Sequence, residues 1–158
     1  MKLLVSFLIL ISFTLMFSCK ENIETGFSYT HTEKGLSFTQ CMAIQWNDTL
    51  NNNIVTLDST VEMQFIGCSG FKIVEGKAFV GASLTLADST GSILFQDEDI
   101  FLDYDSIGFD PTLVKERIGI FLETSHPMKK GGTYKWTNII WDKKGNGTIE
   151  TQALITVK

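Results

Sequence analysis

The chain has 158 residues, room for one domain with a sizeable core. Its 13 basic residues stand against 18 acidic ones, a formal net charge of −5, which excludes the electrostatic footprint of a nucleic-acid binder or a basic grip on anionic lipid. Two prolines, 13 glycines and abundant Thr, Ile, Val and Phe favour strands over helices.

The first stretch concerns address. Lys2 supplies a short positive region, and Leu3 to Phe17 is apolar except for Ser6, Ser12 and Thr14. That is shorter than the roughly 20 apolar residues of a membrane span and fits an export signal. Ser18 precedes Cys19, and polarity then switches at Lys20-Glu21-Asn22. Leu15-Met16-Phe17-Ser18-Cys19 resembles the lipobox of bacterial lipoproteins, although Phe17 stands where a small or β-branched residue is commoner. The resemblance implies cleavage before Cys19, lipidation of its thiol with palmitate-type acyl chains, and acylation of the new N-terminus. Several chains anchor a protein stably where one binds only marginally. Two alternatives stay open: an ordinary cleavage site with Cys19 incidental, and a retained membrane helix. Lys20-Glu21 also looks like the charged surface-export signals of lipoproteins in Bacteroidota, where the acidic run is usually longer. The expected location is the bacterial cell envelope at the outer membrane, periplasmic or surface face undecided. The expected layout is a signal peptide over 1–18, a polar tether over 19–35 and a β-rich domain over 36–158.

From Leu36 the hydrophobic pattern alternates. Leu36, Phe38, Met42, Ile44 and Trp46 share one parity, with Ser37, Thr39, Cys41 and Gln45 on the other, which predicts a half-buried strand with the first set inward. Residues 47–53 form a polar loop cluster. Val61, Met63 and Phe65 predict a second strand, ending at Gly67-Cys68-Ser69-Gly70, and residues 71–74 a short edge piece. Residues 79–87 and 92–96 flank Asp88-Ser89-Thr90-Gly91 as a hairpin. The span 97–116 is irregular and acidic, with one helical turn after Asp110-Pro111. Ile118, Ile120 and Leu122 then alternate with Gly119, Phe121 and Glu123, and residues 126–132 turn the chain. A last hairpin joins 133–141 to 148–157 through Asp142-Lys143-Lys144-Gly145-Asn146-Gly147. Seven or eight short strands at this spacing predict an all-β antiparallel sandwich. The closing hairpin resembles that of bacterial immunoglobulin-like domains, with Tyr134 after its glycine turn placed like their tyrosine corner. The expected fold is therefore an immunoglobulin-like β-sandwich.

Candidate sites are few. Cys41 and Cys68 share the parity of the polar residues in their strands, so they either meet as a disulfide on one outer face or stand as two semi-buried thiols. Asp97, Asp99, Asp103 and Asp105, with Glu98 and Asp110, form the densest charge cluster: a solvated acidic loop or, at lower odds, a calcium loop, although its spacing is not that of an EF-hand. Calcium is the sole cofactor candidate. His31 falls in the tether and His126 in a turn, and no nucleophile elbow or His-x-x-x-His pair occurs, so no catalytic residues are assigned. Trp46, Trp136, Trp141 and Tyr134 are candidates for a glycan platform, but Trp141 has the opposite parity from Tyr134 and Trp136 and cannot join them on one face of a regular strand. Asp48-Thr49-Leu50, Asp58-Ser59-Thr60, Asp88-Ser89-Thr90 and Asp105-Ser106-Ile107 resemble the O-glycosylation acceptor motif of Bacteroidota envelope proteins, which would place glycans on Thr49, Ser59, Ser89 and Ser106. Aspartate before serine or threonine is also simply good turn chemistry. The expected function is a lipid-anchored, non-enzymatic binding or structural module, in contact with the membrane and with an unknown protein or glycan but no nucleic acid. The alternative is an accessory carbohydrate-binding protein or weak hydrolase using residues 97–110.

Overall fold

A computed structural model describes residues 20–22 and 26–158, so the expected signal peptide and the expected lipidation at Cys19 lie outside the described residues. The strands are β1 (Lys20–Asn22), β2 (Tyr29–Lys34), β3 (Gln40–Gln45), β4 (Asp48–Thr49), β5 (Ile54–Val55), β6 (Thr60–Ile66), β7 (Ile73–Val74), β8 (Lys77–Ala78), β9 (Val80–Asp88), β10 (Ile93–Asp97), β11 (Ile118–Glu123), β12 (Thr133–Asp142) and β13 (Thr148–Val157). Helix α1 spans Pro111–Glu116. Eight of these strands reach five residues. They build an antiparallel β-sandwich, as the alternation predicted.

The larger sheet runs β1-β2-β13-β12-β9-β10, with β5 joining β13 in parallel, and the smaller runs β11-β6-β3-β4. The β12–β13 hairpin is its backbone, registered from Thr133↔Thr156 to Trp141↔Thr148. Its turn is held by Asp142, a buried carboxylate that accepts from the amides of Lys144 (2.9 Å) and Lys72 (2.6 Å). Tyr134, Trp136, Asn138 and Ile140 point inward on one strand, and Ile149, Thr151, Ala153 and Ile155 on the next. Trp136 is wholly buried with small Ala153 as its cross-strand partner, the large-beside-small pairing that close packing requires. Val61, Met63 and Phe65 of β6, with Ile118, Ile120 and Leu122 of β11, supply the facing layer. Burying each such side chain contributes about 1.5–3 kcal/mol. The Tyr134 hydroxyl oxygen accepts from the Lys129 amide at 2.7 Å, the upstream backbone bond expected of a tyrosine corner.

Two expectations are corrected, and for the cysteines the structure decides between the two readings left open. The tether does not extend to residue 35: β2 pairs with β13 from Thr148↔Lys34 to Gln152↔Thr30, and Phe27, Tyr29 and His31 are buried. Its alternation of polar and apolar residues is that of an ordinary sheet strand, hidden by its polar composition. The facing of β3 is inverted, with Cys41, Ala43 and Gln45 buried and Trp46 66% exposed. Cys41 and Ala43 lie opposite Phe65 and Met63, so small residues face inward because the neighbouring strand fills the core. The turn then begins at Trp46, where Trp46 (φ 54°) and Asn47 (φ 67°) form the two-residue left-handed link from β3 to β4. Finally, Cys41 and Cys68 are free thiols facing the interior, not partners on an outer face. The Cys68 thiol points to the Phe65 carbonyl (3.8 Å), whose residue is also the cross-strand partner of Cys41.

Candidate binding surface

The acidic segment is organised differently from a cation loop. The Lys143 ammonium lies 2.6 Å from Asp99 Oδ2 and pairs with Asp105 Oδ1, and Tyr104 stacks on Phe109 beneath the segment (4.6 Å). Burial alone would lower the Lys143 pKa, but its hydrogen bonds and charge pairing with Asp105 and Asp99 prevail and hold it above the usual value. A lysine thus supplies the positive charge that pairs with these two carboxylates. Asp97 accepts from the Asp99 amide, and Asp103 is exposed on a single 3-10 turn. Among the described residues, no three His, Cys, Asp or Glu side chains gather as a metal site.

The aromatic candidates do not converge. Trp136 and Tyr134 are core, Trp46 caps the β3–β4 turn, and Trp141 is half-buried on the outer face of the larger sheet, covering Gly81. A side chain at Gly81 would stand 2.1 Å from the indole, which is why glycine occupies that place. His31 is buried between Tyr29 and Phe38, and His126 is exposed. Of the motif hydroxyls, Thr49, Ser89 and Ser106 are exposed and Ser59 is half-buried. Asp88 closes its own turn, accepting from the Thr90 hydroxyl and from the amides of Thr90 and Ser92; these bonds, Thr90 foremost, hold its carboxyl below the usual range.

The side chain that brings the concave surface together is one the sequence reading passed over. Phe121 is 59% exposed on β11 and borders three adjoining recesses. The first, about 170 Å³, is walled by Val80, Phe101, Phe109, Leu113 and Ile118. The second, about 420 Å³, lies between the open edges of the two sheets and is lined by Leu86, Phe95, Leu122 and Met128. The third, also about 420 Å³, runs along the outer face past Ile44 to Trp46 and Asp58. Phe121 is the cross-strand partner of Glu62, which is in turn opposite Ile44. The Glu62 carboxylate lies over Gly119: a side chain there would stand 2.2 Å from Oε1. Its Oε2 accepts from Gln64 Nε2 at 2.8 Å. Its Oε1 is buried with no hydrogen-bond donor, Arg117 Nε standing 4.0 Å away. A large aromatic on the outward parity of β11, among Gly119 and Glu123, was the available signal.

Comparison with known proteins adds little. No family model and no curated protein matches the chain. Among solved structures, the C-terminal domain of wzt superposes with a TM-score of 0.46 at 11% identity, covering 81% of this chain and 78% of that one. Superoxide reductase (neelaredoxin) from Ignicoccus hospitalis gives 0.38 at 11% identity, covering 77% and 82%. Likenesses this distant carry no argument about activity or ligand.

Proposed function

We propose that this chain is a lipid-anchored protein of the bacterial cell envelope, most simply of the outer membrane, whose sandwich serves as a non-enzymatic binding module. The anchor reading is supported by the apolar leader and by Ser18-Cys19 before the polar switch. The observation that carries the binding reading is the surface centred on Phe121, where exposed Trp46, Phe95 and Phe121 line adjoining recesses. Exposed aromatics beside apolar hollows are the anchors that partner surfaces use. The test is a photo-crosslinking residue installed at Phe121 in cells that make the protein. One discrete adduct is expected, absent when the same residue is installed at Lys135 on the opposite sheet. Equal adducts from both places, or none from Phe121, would remove the reading.

A second reading, carbohydrate recognition or hydrolysis through residues 97–110, is favoured by one feature: half-buried Trp141 borders the same recess as Asp99, Asp105 and Lys144. O-glycans on Thr49, Ser59, Ser89 and Ser106 remain part of the proposal, with Ser89 and Ser106 at exposed turns.

A further inference from the structure

We propose that β11 is the seam of a symmetric dimer, in which a second copy of this chain lays its own β11 antiparallel to the first and joins the two four-stranded sheets into one. This rests on the Phe121 surface proposed above and names its partner.

β11 ends the four-stranded sheet, and among the described residues no strand pairs with its other side. Such an edge is a template for another strand unless a bulge, proline or lysine blunts it. β10, which borders the same recess, carries such a device, its register breaking between Ile93 and Phe95. β11 follows β6 without interruption from Ile118↔Phe65 to Glu123↔Thr60 and contains no proline or lysine. Arg117 prolongs it with extended backbone (φ −165°, ψ 135°).

The order of residues identifies the occupant. A twofold contact sets residue i against j and j against i, so it needs a strand that complements its own reverse. Arg117-Ile118-Gly119-Ile120-Phe121-Leu122-Glu123 does so about Ile120. On the inward parity, Ile120 meets Ile120 and Ile118 meets Leu122. On the outward parity, Gly119 meets Phe121 and Arg117 meets Glu123. An aromatic beside an edge glycine covers the gap that the glycine leaves, and opposite charges face each other at both ends. The Arg117 side chain is 59% exposed and comes no nearer to Glu62 than 4.0 Å, which leaves its guanidinium donors for Glu123 of the second copy. Shifting the register by two residues keeps the faces aligned but parts Arg117 from Glu123 and shortens the ladder. The twofold also brings each copy's recess walled by Phe101, Phe109 and Leu113 beside the other's recess walled by Phe95 and Met128, apolar wall to apolar wall. The net charge of −5 on each copy opposes this only at long range, since salt at 0.15 M screens exposed charges beyond about 8 Å.

The test is sedimentation of the full chain purified in detergent, and twice the chain mass is expected. Arg117→Glu and Glu123→Arg should each weaken the dimer about tenfold, because each sets like charges together at both ends. Combining the two should restore it, which a variant that merely misfolds would not do. A single-chain mass at every concentration would overturn the proposal. So would a dimer indifferent to both substitutions, or a double variant that stays monomeric. Crosslinking from Phe121 separates this proposal from the surface it rests on. An adduct of twice the chain mass supports both, an adduct to a different protein overturns the dimer and keeps the surface, and no adduct removes both.

Discussion

Cys41 and Cys68 show what one side chain's surroundings do to its chemistry. Burial pushes the Cys68 thiol up to about 12, with the charge of Glu33 adding to it. Burial raises Cys41 further, against a hydrogen bond with Tyr29 that lowers it, and with Cys68 adding. In the unfolded chain both thiols ionise near 9.0. Above that pH the unfolded state releases protons that the folded state keeps, so stability falls as pH rises from about 9 toward 12. Below pH 9 the thiols contribute no pH dependence. We expect the wild-type melting temperature to fall more steeply between pH 8.5 and 10.5 than that of the Cys41→Ala/Cys68→Ala double variant. Parallel curves would show that the thiols are not buried as described. In the folded state at neutral pH both should resist alkylation, since the thiolate is the reactive form.

At the scale of elements, β2 decides where the domain begins. It covers the edge of β13 with five residue pairs, Lys34 through Thr30, and its approach buries Phe27. Removing it would uncover the inner face beneath Phe27, Tyr29 and His31 and strip the ladder from the longest hairpin. A chain beginning at Gly26 should unfold cooperatively in urea, whereas one beginning at Leu36 should show no cooperative transition. If both unfold alike, β2 is an accessory and the tether reading of residues 20–34 returns. The two outcomes separate cleanly because burial of three large side chains represents several kcal/mol, much of a small domain's net stability.

At the scale of the whole molecule, β1 starts at Lys20, directly after Cys19, the residue proposed to carry the lipid. Lipidation there would hold the domain close to the bilayer, since the intervening chain is already paired with β2. Intact-mass analysis of protein extracted from its native membrane should give the polypeptide from Cys19 plus acyl chains. Sugar-sized increments beyond that would identify glycans, and the Thr49, Ser59, Ser89 and Ser106 replacements would locate them. A bare polypeptide starting elsewhere would end the lipoprotein reading and leave a secreted domain.

Local pattern alone marked the strands around 61–65, 118–123, 133–141 and 148–157, the turn over 142–147 between the last two and the helical turn after Asp110-Pro111. These signals are carried by neighbours along the chain: side-chain alternation, turn residues and a proline at the first helical position. Tertiary structure decided the rest. Whether Cys41 or Met42 faces inward depends on the bulk of Phe65 and Met63 across the ladder, not on β3 itself. That 29–34 is sheet depends on β13, more than a hundred residues away. Lys143 settles on Asp99 and Asp105 from a distant hairpin, and Phe121 borders three recesses only because two sheet edges and α1 meet around it. Periodicity reports which residues alternate; only packing of one layer on another assigns the faces.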